Sequence, residues 1–395
     1  MTQKKPYVLA MNGGSSSIKF ALYRRGDPPK RRLHGKVDRI GVRDTTLTFD
    51  DPVHNRQDSR GIGDFDHRSA ATFLIDWLDE QVGLASIGAV GHRVVNGGPH
   101  YNEPQRVTHE LLDELRRISA YASEHLPSEI VVIDLFRERV PGLPQVACFD
   151  TAFHRDMPRV AKILAIPRRF QAQGVERYGF HGLSYSFLMG ELARVARAEA
   201  ALGRVILAHL GNGASLAAVR RGKGIDTSMG FTPAAGVPMS TRSGDLDPGL
   251  VWYLAQTEHM TAEQFHHMVN RQSGLLGVSD TSSDLRDLLG READDVRAAE
   301  AVALFCYQVT KCVGAFAAAL GGLDTLVFAG GIGENAPVIR ARICAGLGFL
   351  GIQLDPTRNE SSQPVISADA GRVDVRVIGT DEEMMIAKAV GRITS

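Results

Sequence analysis

Short apolar runs alternate with longer amphipathic stretches along this chain of 395 residues. Almost uniformly apolar runs predict buried strands at residues 6–11, 18–23, 86–91, 145–149, 204–210, 214–219, 324–329 and 373–378. Apolar positions that recur with a helical period predict helices at 67–82, 107–119, 128–138, 184–199, 261–271, 293–320, 336–346 and 381–391. Because strands and helices alternate, we expect an α/β fold whose largely parallel or mixed sheet is covered on both faces.

One strand–turn–strand pattern occurs twice, as YVLAMNGGSSSIKFALYRRG (7–26) and as VILAHLGNGASLAAVRRG (205–222). A turn of Gly, Ser and Asn exposes backbone N–H groups and lets the backbone approach an anion closely. Two such hairpins could hold one polyphosphate. The alternative is a pair of ordinary hairpin turns, since Gly and Asn are common turn residues. Both interpretations are open from this pattern alone.

Length and charge narrow the class of protein. A chain of 395 residues exceeds the usual single-domain range, so we expect two domains. The 45 basic and 45 acidic residues balance, which gives no charge footprint for nucleic acid or an anionic membrane. The most apolar long stretch, 298–323, contains Gln308 and Lys311 and favours a buried helix over a membrane span. We expect a soluble cytoplasmic protein with small-molecule or protein partners.

Further loops combine glycine with charged residues, and most of them follow predicted strands. They read GHRVVNGG (91–98), FDTAFH (149–154), RYGFHGLSY (177–185), STRSGDLDPG (240–249), FAGGIGEN (328–335) and GTDEE (379–383). In open α/β sheets ligands bind at the carboxyl ends of strands. Arginines, a histidine and carboxylates at such an edge suit phosphoryl transfer. No GxxxxGK[ST] P-loop, GxSxG elbow or HExxH motif occurs.

These loops resemble the motifs of the acetate kinase family, in the same order and over nearly the whole chain. The matching stretches are MNGGSSSIKF, GHRVVNGG, FDTAFH, YGFHG, HLGNGAS, TRSGDLDPG, GGIGEN and GTDEE. The resemblance implies duplicated ribonuclease-H-like domains of the actin-like ATPase type with an interdomain nucleotide cleft. It implies domain I at 1–150 plus 383–395, on the acyl substrate side, and domain II at 151–382, for nucleotide binding and dimerisation.

The resemblance also implies roles for individual residues. A site for Mg²⁺, with Mn²⁺ as an alternative ion, is implied for Asn12 and Glu382. Contacts with ATP or ADP are implied for Lys19, His209, Leu210, Gly211, Asn212, Gly213, Asp284, Leu285, Arg286, Gly331, Ile332, Gly333, Glu334 and Asn335. Contacts with the acyl substrate are implied for Arg93, Val95, Phe180 and Pro233. Catalytic roles are implied for Asp150, His181 and Arg242, and His125 and His209 match two further active-site histidines.

The expected reaction is reversible phosphoryl transfer from ATP to acetate by a homodimeric, magnesium-dependent enzyme. A carboxylate acceptor is already anionic at neutral pH, so we expect Asp150 to help position magnesium or its waters and the acceptor, and not to remove a proton. Without the resemblance, Arg93 and Arg242 could be surface salt-bridge partners, and Asp150 and Glu382 could cap helices.

One loop departs from the family pattern. ASEHLP (122–127) stands where the family usually has APLHNP, and an ungapped match puts Glu124 on a pocket-lining position. A carboxylate in an apolar pocket is costly, so either this loop is displaced or the acyl pocket is more polar. A kinase that prefers propionate or another short acid is therefore an alternative to an acetate kinase.

Two alternatives come from other classes of protein. They are an actin- or Hsp70-like ATPase module and a sugar kinase.

Overall fold

A computed structural model of the chain describes residues 5–14 and 16–394; Ser15, in the first Gly/Ser turn, lies outside the described residues. Two compact units are present. Unit 1 comprises Met1–Ala152 and Asp381–Ser395, and unit 2 comprises Phe153–Thr380. The units change at 152/153 and 380/381, whereas the sequence placed the boundaries at 150/151 and 382/383. Glu382 consequently falls in unit 1.

The strands and helices are numbered in chain order. The strands are β1 Tyr7–Gly13, β2 Ser17–Arg24, β3 Lys30–Asp38, β4 Thr45–Asp51, β5 Arg56–Gly63, β6 Ile87–Val94, β7 Gln105–Arg106, β8 Gln145–Phe149, β9 Arg204–Leu210, β10 Ala214–Arg220, β11 Lys223–Thr227, β12 Thr325–Ala329 and β13 Asp374–Val377. The helices are α1 His67–Val82, α2 His109–Arg117, α3 Leu126–Arg139, α4 Arg159–Lys162, α5 Arg168–Gln171, α6 Gly182–Val195, α7 Ala198–Leu202, α8 Gly249–Thr257, α9 Ala262–Arg271, α10 Gly274–Ser279, α11 Leu285–Arg291, α12 Val296–Leu320, α13 Gly330–Asn335, α14 Pro337–Ala345, α15 Pro356–Glu360 and α16 Glu382–Ile393.

Each unit is built on one mixed sheet, and the two sheets share a strand order. Unit 1 has the order β5-β4-β3-β2-β1-β6-β8-β7, and unit 2 has β11-β10-β9-β12-β13. The first three strands of each shared set pair antiparallel, β1-β2-β3 and β9-β10-β11. The next two pair parallel, β6 and β8 in unit 1 and β12 and β13 in unit 2. This repetition confirms the duplicated α/β fold, and each repeated sequence segment forms the first hairpin of its sheet.

The unit 1 sheet is wider than the apolar pattern predicts. Strands β3, β4 and β5 extend it, although β5 is almost entirely exposed and therefore carries no apolar run. In β4 the buried Leu47 and Phe49 alternate with half-exposed residues. The core beneath these strands packs Trp77 of α1 edge-on against Phe20, with ring centroids 5.5 Å apart. Burial of this face stabilises strands whose own sequences are polar.

Helix α16 lies against β1 and β6 because β6 has a glycine where the helix crosses it. A side chain at Gly91 would lie within 2.5 Å of Ile386 and Val390 of α16. Asp381 caps the helix by accepting a hydrogen bond from the Met384 N–H at 2.9 Å. The first turn of α16, which contains Glu382, is thereby fixed beside the end of β1.

Helix α12 is long and apolar enough to cross a membrane by length and composition. In unit 2 it packs against β9 and β10, and its buried side chains include Val302, Phe305 and Val309. Asp295 caps its start, and Gly321 ends it in a left-handed conformation with φ of 74°. The sequence interpretation of this stretch as a buried helix agrees with that packing.

Candidate active site

Three parallel strands of unit 1 end at the same edge of its sheet, and each end carries a residue expected from the motifs. Asn12 lies at the end of β1, Arg93 lies near the end of β6, and Asp150 follows β8 directly. The registers Met11↔His92 and Arg93↔Cys148 place these positions side by side. Motifs that lie far apart in the sequence therefore meet at the carboxyl edge, where α/β folds bind ligands.

Arg93 and Asp150 form a buried ion pair. The Arg93 Nη2 and Nε atoms lie 2.6 and 2.8 Å from Asp150 Oδ2, and Arg93 Nη1 donates to the Gly13 carbonyl at 2.9 Å. The Arg93 side chain is 12% exposed and that of Asp150 is 0% exposed. Burial disfavours the guanidinium charge, but the charges of Asp150, Glu129 and Glu382 outweigh it and raise the pKa of Arg93. A surface salt bridge is therefore the wrong interpretation of Arg93.

Glu129 of α3 belongs to the same cluster, and the motif comparison missed it. Its Oε1 lies 3.4 Å from Arg93 Nη1, and its Oε2 accepts from the Val95 N–H at 2.9 Å. A signal was present in the sequence, because Glu129 stands three residues after Leu126 and four before Ile133, on the apolar face of the predicted helix. An acid at such a position needs buried partners.

The proposed metal residues meet at the start of α16. The Asn12 amide nitrogen donates to Glu382 Oε2 at 2.8 Å and to Glu383 Oε1 at 2.9 Å. Burial and the neighbouring Glu382 charge raise the pKa of Glu383. Lys19 pairs with Asn12 across the β1–β2 hairpin, and its charge favours ionised Glu383. Two carboxylates held this close favour a cation beside them.

This set fits a magnesium site. Within residues 5–14 and 16–394, no group of three or more His, Cys, Asp or Glu side chains is arranged to hold a metal ion. Mg²⁺ does not need such a cage, because it usually keeps several waters and takes only one or two protein carboxylates besides substrate phosphates. Glu382 and Glu383 would supply the carboxylates of such a site, so Glu383 is a candidate beside the residues that the motifs indicated.

In unit 2 the predicted histidines His181 and His209 stack on each other, and each is held by its own hydroxyl partner. The His181 and His209 rings stack with centroids 4.3 Å apart. His181 Nδ1 lies 2.8 Å from the Ser215 hydroxyl, and His209 Nδ1 lies 2.8 Å from the Ser184 hydroxyl, which also accepts from Thr380. These contacts leave the Nε2 side of His181 directed toward the β9–β10 turn.

His181 has a strained backbone. It precedes α6 in the left-handed conformation, with φ of 58°. Strain of this kind persists where the surrounding structure fixes it, and it is concentrated at functional sites.

Arg242 reaches the same turn from the irregular loop that follows Met229. Its Nη1 donates to the Pro233 carbonyl at 3.3 Å. A methyl group on Gly213 would lie 3.2 Å from His181 Nε2 and 3.6 Å from Arg242 Nη1. The turn of the second hairpin therefore lies between two side chains that can place positive charge on a phosphoryl group.

Replacing Gly213 with alanine tests this convergence. The added methyl group would displace the His181 ring by a few tenths of an ångström and would come into van der Waals contact with the Arg242 guanidinium. We expect kcat to fall by about 10- to 100-fold, because small misplacements of catalytic groups are costly. Steady-state kinetics of phosphoryl transfer would measure it.

Gly290→Ala is the matched control, because a side chain there meets no atom within 4 Å. Wild-type kcat in a folded Gly213→Ala variant would contradict the placement of these two groups beside the turn.

Other predicted nucleotide residues occupy three places in unit 2. Leu210, Gly211 and Asn212 belong to the β9–β10 hairpin. The stretch Gly331, Ile332, Gly333, Glu334 and Asn335, expected as a loop, is helix α13, and Glu334 Oε1 accepts from the Gly330 N–H at 3.0 Å. Asp284 caps α11 before Leu285 and pairs with the exposed Arg286. Their contacts with a nucleotide stay predictions.

The residues expected to line the acyl pocket belong to different units. Val95 lies in unit 1, whereas Phe180 and Pro233 lie in unit 2, and all three are buried. His125 is buried at the start of α3, and Glu124 is half-buried in the turn before it. The roles of these residues in acyl binding stay predictions.

Comparison with known proteins confirms the resemblance that the motifs indicated. The sequence model of the Acetokinase family matches residues 7–388. An acetate kinase of Rhodopseudomonas palustris is 44% identical over 391 residues, covering 98% of each chain. A propionate kinase of Citrobacter rodentium is 42% identical over 393 residues, covering 98% of this chain and 96% of that protein. The crystal structure of a propionate kinase from Francisella tularensis has a TM-score of 0.90 at 35% identity, covering 97% of this chain and 98% of that chain. The chain belongs to the acetokinase family.

Proposed function

We propose that this chain is an acetate kinase, which transfers the γ-phosphoryl group of ATP reversibly to acetate and yields acetyl phosphate and ADP. The observation that carries the proposal is the buried Arg93, held by Asp150 at a strand end of an acetokinase fold. A buried, fixed guanidinium suits a small carboxylate, since hydrogen bonds from arginine to a carboxylate are charge-assisted and strong.

In the proposed reaction, residues of unit 1 bind the acyl group and residues of unit 2 stabilise the phosphoryl group. An acetate oxygen attacks the γ-phosphorus, and the bond from that phosphorus to the bridging oxygen of ADP breaks. The acceptor has a pKa near that of glutamate, about 4.3, so no base is needed at neutral pH. What the reaction needs is neutralisation of negative charge. Arg93 offers it to the acyl carboxylate, and His181 and Arg242 offer it to phosphoryl oxygens.

We propose Mg²⁺ as the metal, with Mn²⁺ as an alternative ion, held by Asn12, Glu382 and Glu383. When bound, the ion would neutralise phosphate charge beside these carboxylates. Support comes from the close pair of glutamates, which repel each other without a cation. Asp150 holds the Arg93 guanidinium in place and keeps the acyl side oriented.

We also propose that the chain forms a homodimer through α8 of unit 2. No residue of α8 is buried, and Val251, Trp252 and Tyr253 are 45, 71 and 60% exposed. A helix that exposes several large apolar side chains in this way is typical of an interaction site. A second copy satisfies it because the same apolar face then covers itself across a two-fold axis.

Trp252→Glu tests this interface. We expect the mass in solution to fall from twice the chain mass to the chain mass, because the introduced charge would be buried at the centre of the contact. Size-exclusion chromatography with light scattering would measure it. Phe349→Glu, at a site 73% exposed in unit 2, is the control. A variant with the wild-type mass would contradict the role of α8.

Propionate is the second candidate acceptor, because a propionate kinase is 42% identical over nearly the whole chain. One methylene changes discrimination between acetate and propionate by only about 1–3 kcal/mol.

The balanced charge of the chain supports small-molecule substrates over nucleic acid or membrane partners, and we propose a cytoplasmic location where ATP is supplied.

The test is ATP-dependent acyl phosphate formation, trapped as hydroxamate, with formate, acetate, propionate and butyrate. We expect acetate to give the highest kcat/KM. A higher value for propionate would keep the reaction and change the substrate. ATP hydrolysis without phosphorylation of any acid would overturn the proposal in favour of an ATPase module.

A further inference from the structure

The Glu129 carboxylate contacts both groups of unit 1 that are expected to receive the acyl substrate, and it has no role in the reaction described above. Its side chain is 1% exposed. Oε1 lies 3.4 Å from Nη1 of Arg93, which we assign to the substrate carboxylate. Oε2 accepts from the backbone of Val95, which is expected to contact the substrate methyl. Both oxygens therefore hold parts of the acyl side in place.

The charges of this cluster depend on the state of Glu129. Arg93 contributes one positive charge and Asp150 one negative charge, and these two neutralise each other. Ionised Glu129 adds a second negative charge, so a substrate carboxylate at Arg93 would meet net repulsion. Neutral Glu129 removes that repulsion and leaves the Val95 contact in place. Like charges in a buried cluster disfavour one another strongly.

We propose that Glu129 is a positioning residue that fixes Arg93 and Val95 and that makes binding of the acyl anion depend on its own protonation. This inference rests on the proposed function, because it takes a carboxylic acid as the ligand of Arg93. The step is an equilibrium: the substrate anion binds at Arg93 as one proton is taken up by Glu129.

The surroundings of Glu129 support this coupling. Burial, with a smaller contribution from the Asp150 charge, raises the pKa of Glu129 to about 7 against the opposing effects of Arg93 and the Val95 N–H. Facing it are Arg93 of β6 and Asp150 after β8, with His125 at the start of its own helix and Glu382 acting on Arg93. Short carboxylic acids stay ionised over this range, because their pKa is about 4.3. Near neutral pH, Glu129 therefore changes charge while the substrate does not.

Glu129→Gln is the test variant, since glutamine keeps the shape and an acceptor for Val95 but cannot ionise. The KM for acetate would be measured from pH 6 to pH 8.5. We expect the wild-type KM to rise above pH 7 by at most about tenfold per pH unit, as one ionisation permits. The variant KM should stay at the low-pH value throughout, with the KM for ATP unchanged. Glu138→Gln, exposed on the same helix, should keep the wild-type profile.

Melting temperature against pH gives a readout without substrate. The pKa of Glu129 in the folded chain is about 7, above its ordinary value of 4.5. Between these two pH values the folded chain keeps a proton that the unfolded chain has lost. This stabilisation is complete below 4.5 and disappears as pH rises through 7. Between pH 5.5 and 8 we expect the melting temperature of the wild type to decrease more than that of Glu129→Gln.

Two outcomes would overturn the inference. An active wild type whose pH profile for acetate KM is preserved in Glu129→Gln would overturn it alone. A wild type that phosphorylates no acid would overturn the proposed function and this inference with it. A variant with unchanged KM for ATP, flat KM for acetate and the altered melting profile supports it.

Discussion

Arg242→Ala is expected to lower kcat for acyl phosphate formation by about 10²–10³-fold, the usual cost of removing one charge-stabilising donor from an active site. The KM for ATP and the KM for acetate should change far less. The reason is the position of the guanidinium beside Gly213, on the turn that His181 also faces. In the proposed mechanism a cation there acts on charge that develops during transfer, so we expect its loss to affect the transition state more than ground-state binding. Stopped-time hydroxamate assays at saturating substrates would measure it.

Arg194→Ala is the matched control for this variant, because Arg194 is 71% exposed on α6 of the same unit and pairs with Glu191 on the same helix. Arg242→Lys separates charge from shape, since lysine keeps the charge and loses the planar fork. A folded Arg242→Ala variant with more than half of the wild-type kcat would show that this side chain does not act on the transferred group.

Asp150→Ala is expected to destabilise unit 1 by about 3–5 kcal/mol, because it leaves a buried guanidinium without its main partner. Glu129 remains, but its closest oxygen lies 3.4 Å from Arg93, whereas Asp150 lies at 2.6 Å. The chain has two tryptophans, Trp77 in the core of unit 1 and the exposed Trp252 in unit 2. In a Trp252→Phe background, Trp77 fluorescence during urea denaturation reports unit 1 alone.

Asp134→Ala is the control, because Asp134 is 28% exposed and pairs with Arg116 at the surface of the same unit. An exposed pair contributes about 0–1 kcal/mol to stability, so the urea midpoint of Asp134→Ala should stay close to that of the wild type. Combining Asp150→Ala with Arg93→Met should recover part of the loss, since neither charge then stays buried. A midpoint unchanged in Asp150→Ala would contradict the buried pair.

Strands and helices that turn an apolar face to the core were predictable from the sequence. Elements that depend on pairing with a neighbouring strand or on a side-chain hydrogen bond were not. The two hairpins were found because β1, β2, β9 and β10 are apolar runs on either side of Gly-rich turns. Strand β5 has almost no buried residue, so only pairing with β4 identifies it. Helix α13 consists of GGIGEN, whose glycines indicate a loop. Its own Glu334 accepts from the Gly330 N–H, which no propensity scale includes.

The site shows the same division. Arg93 and Asp150 were predictable because each stands at the end of a strand, where parallel strands bring chemistry together. Glu129 was missed because it lies inside a helix and no motif includes it; its place on the apolar face of that helix was the available signal. Glu383 was passed over in favour of Glu382, and only the Asn12 amide, which donates to both, shows that they act as a pair. The sequence pattern locates the ends of strands, but it does not show which side chains contact each other in the folded structure.

The Arg93 guanidinium, which we propose as the acyl-binding group, has a further property that follows from the position of its partners. Gly13, Glu129 and Asp150 all belong to unit 1, and together they hold Arg93 by three separate contacts. The conformational entropy of this long side chain is therefore lost when unit 1 folds and not when the acid arrives. A receptor made rigid in advance binds a ligand of a few atoms well, although such a ligand offers little contact energy of its own. The same rigidity gives it little capacity to adjust to a bulkier or branched acid.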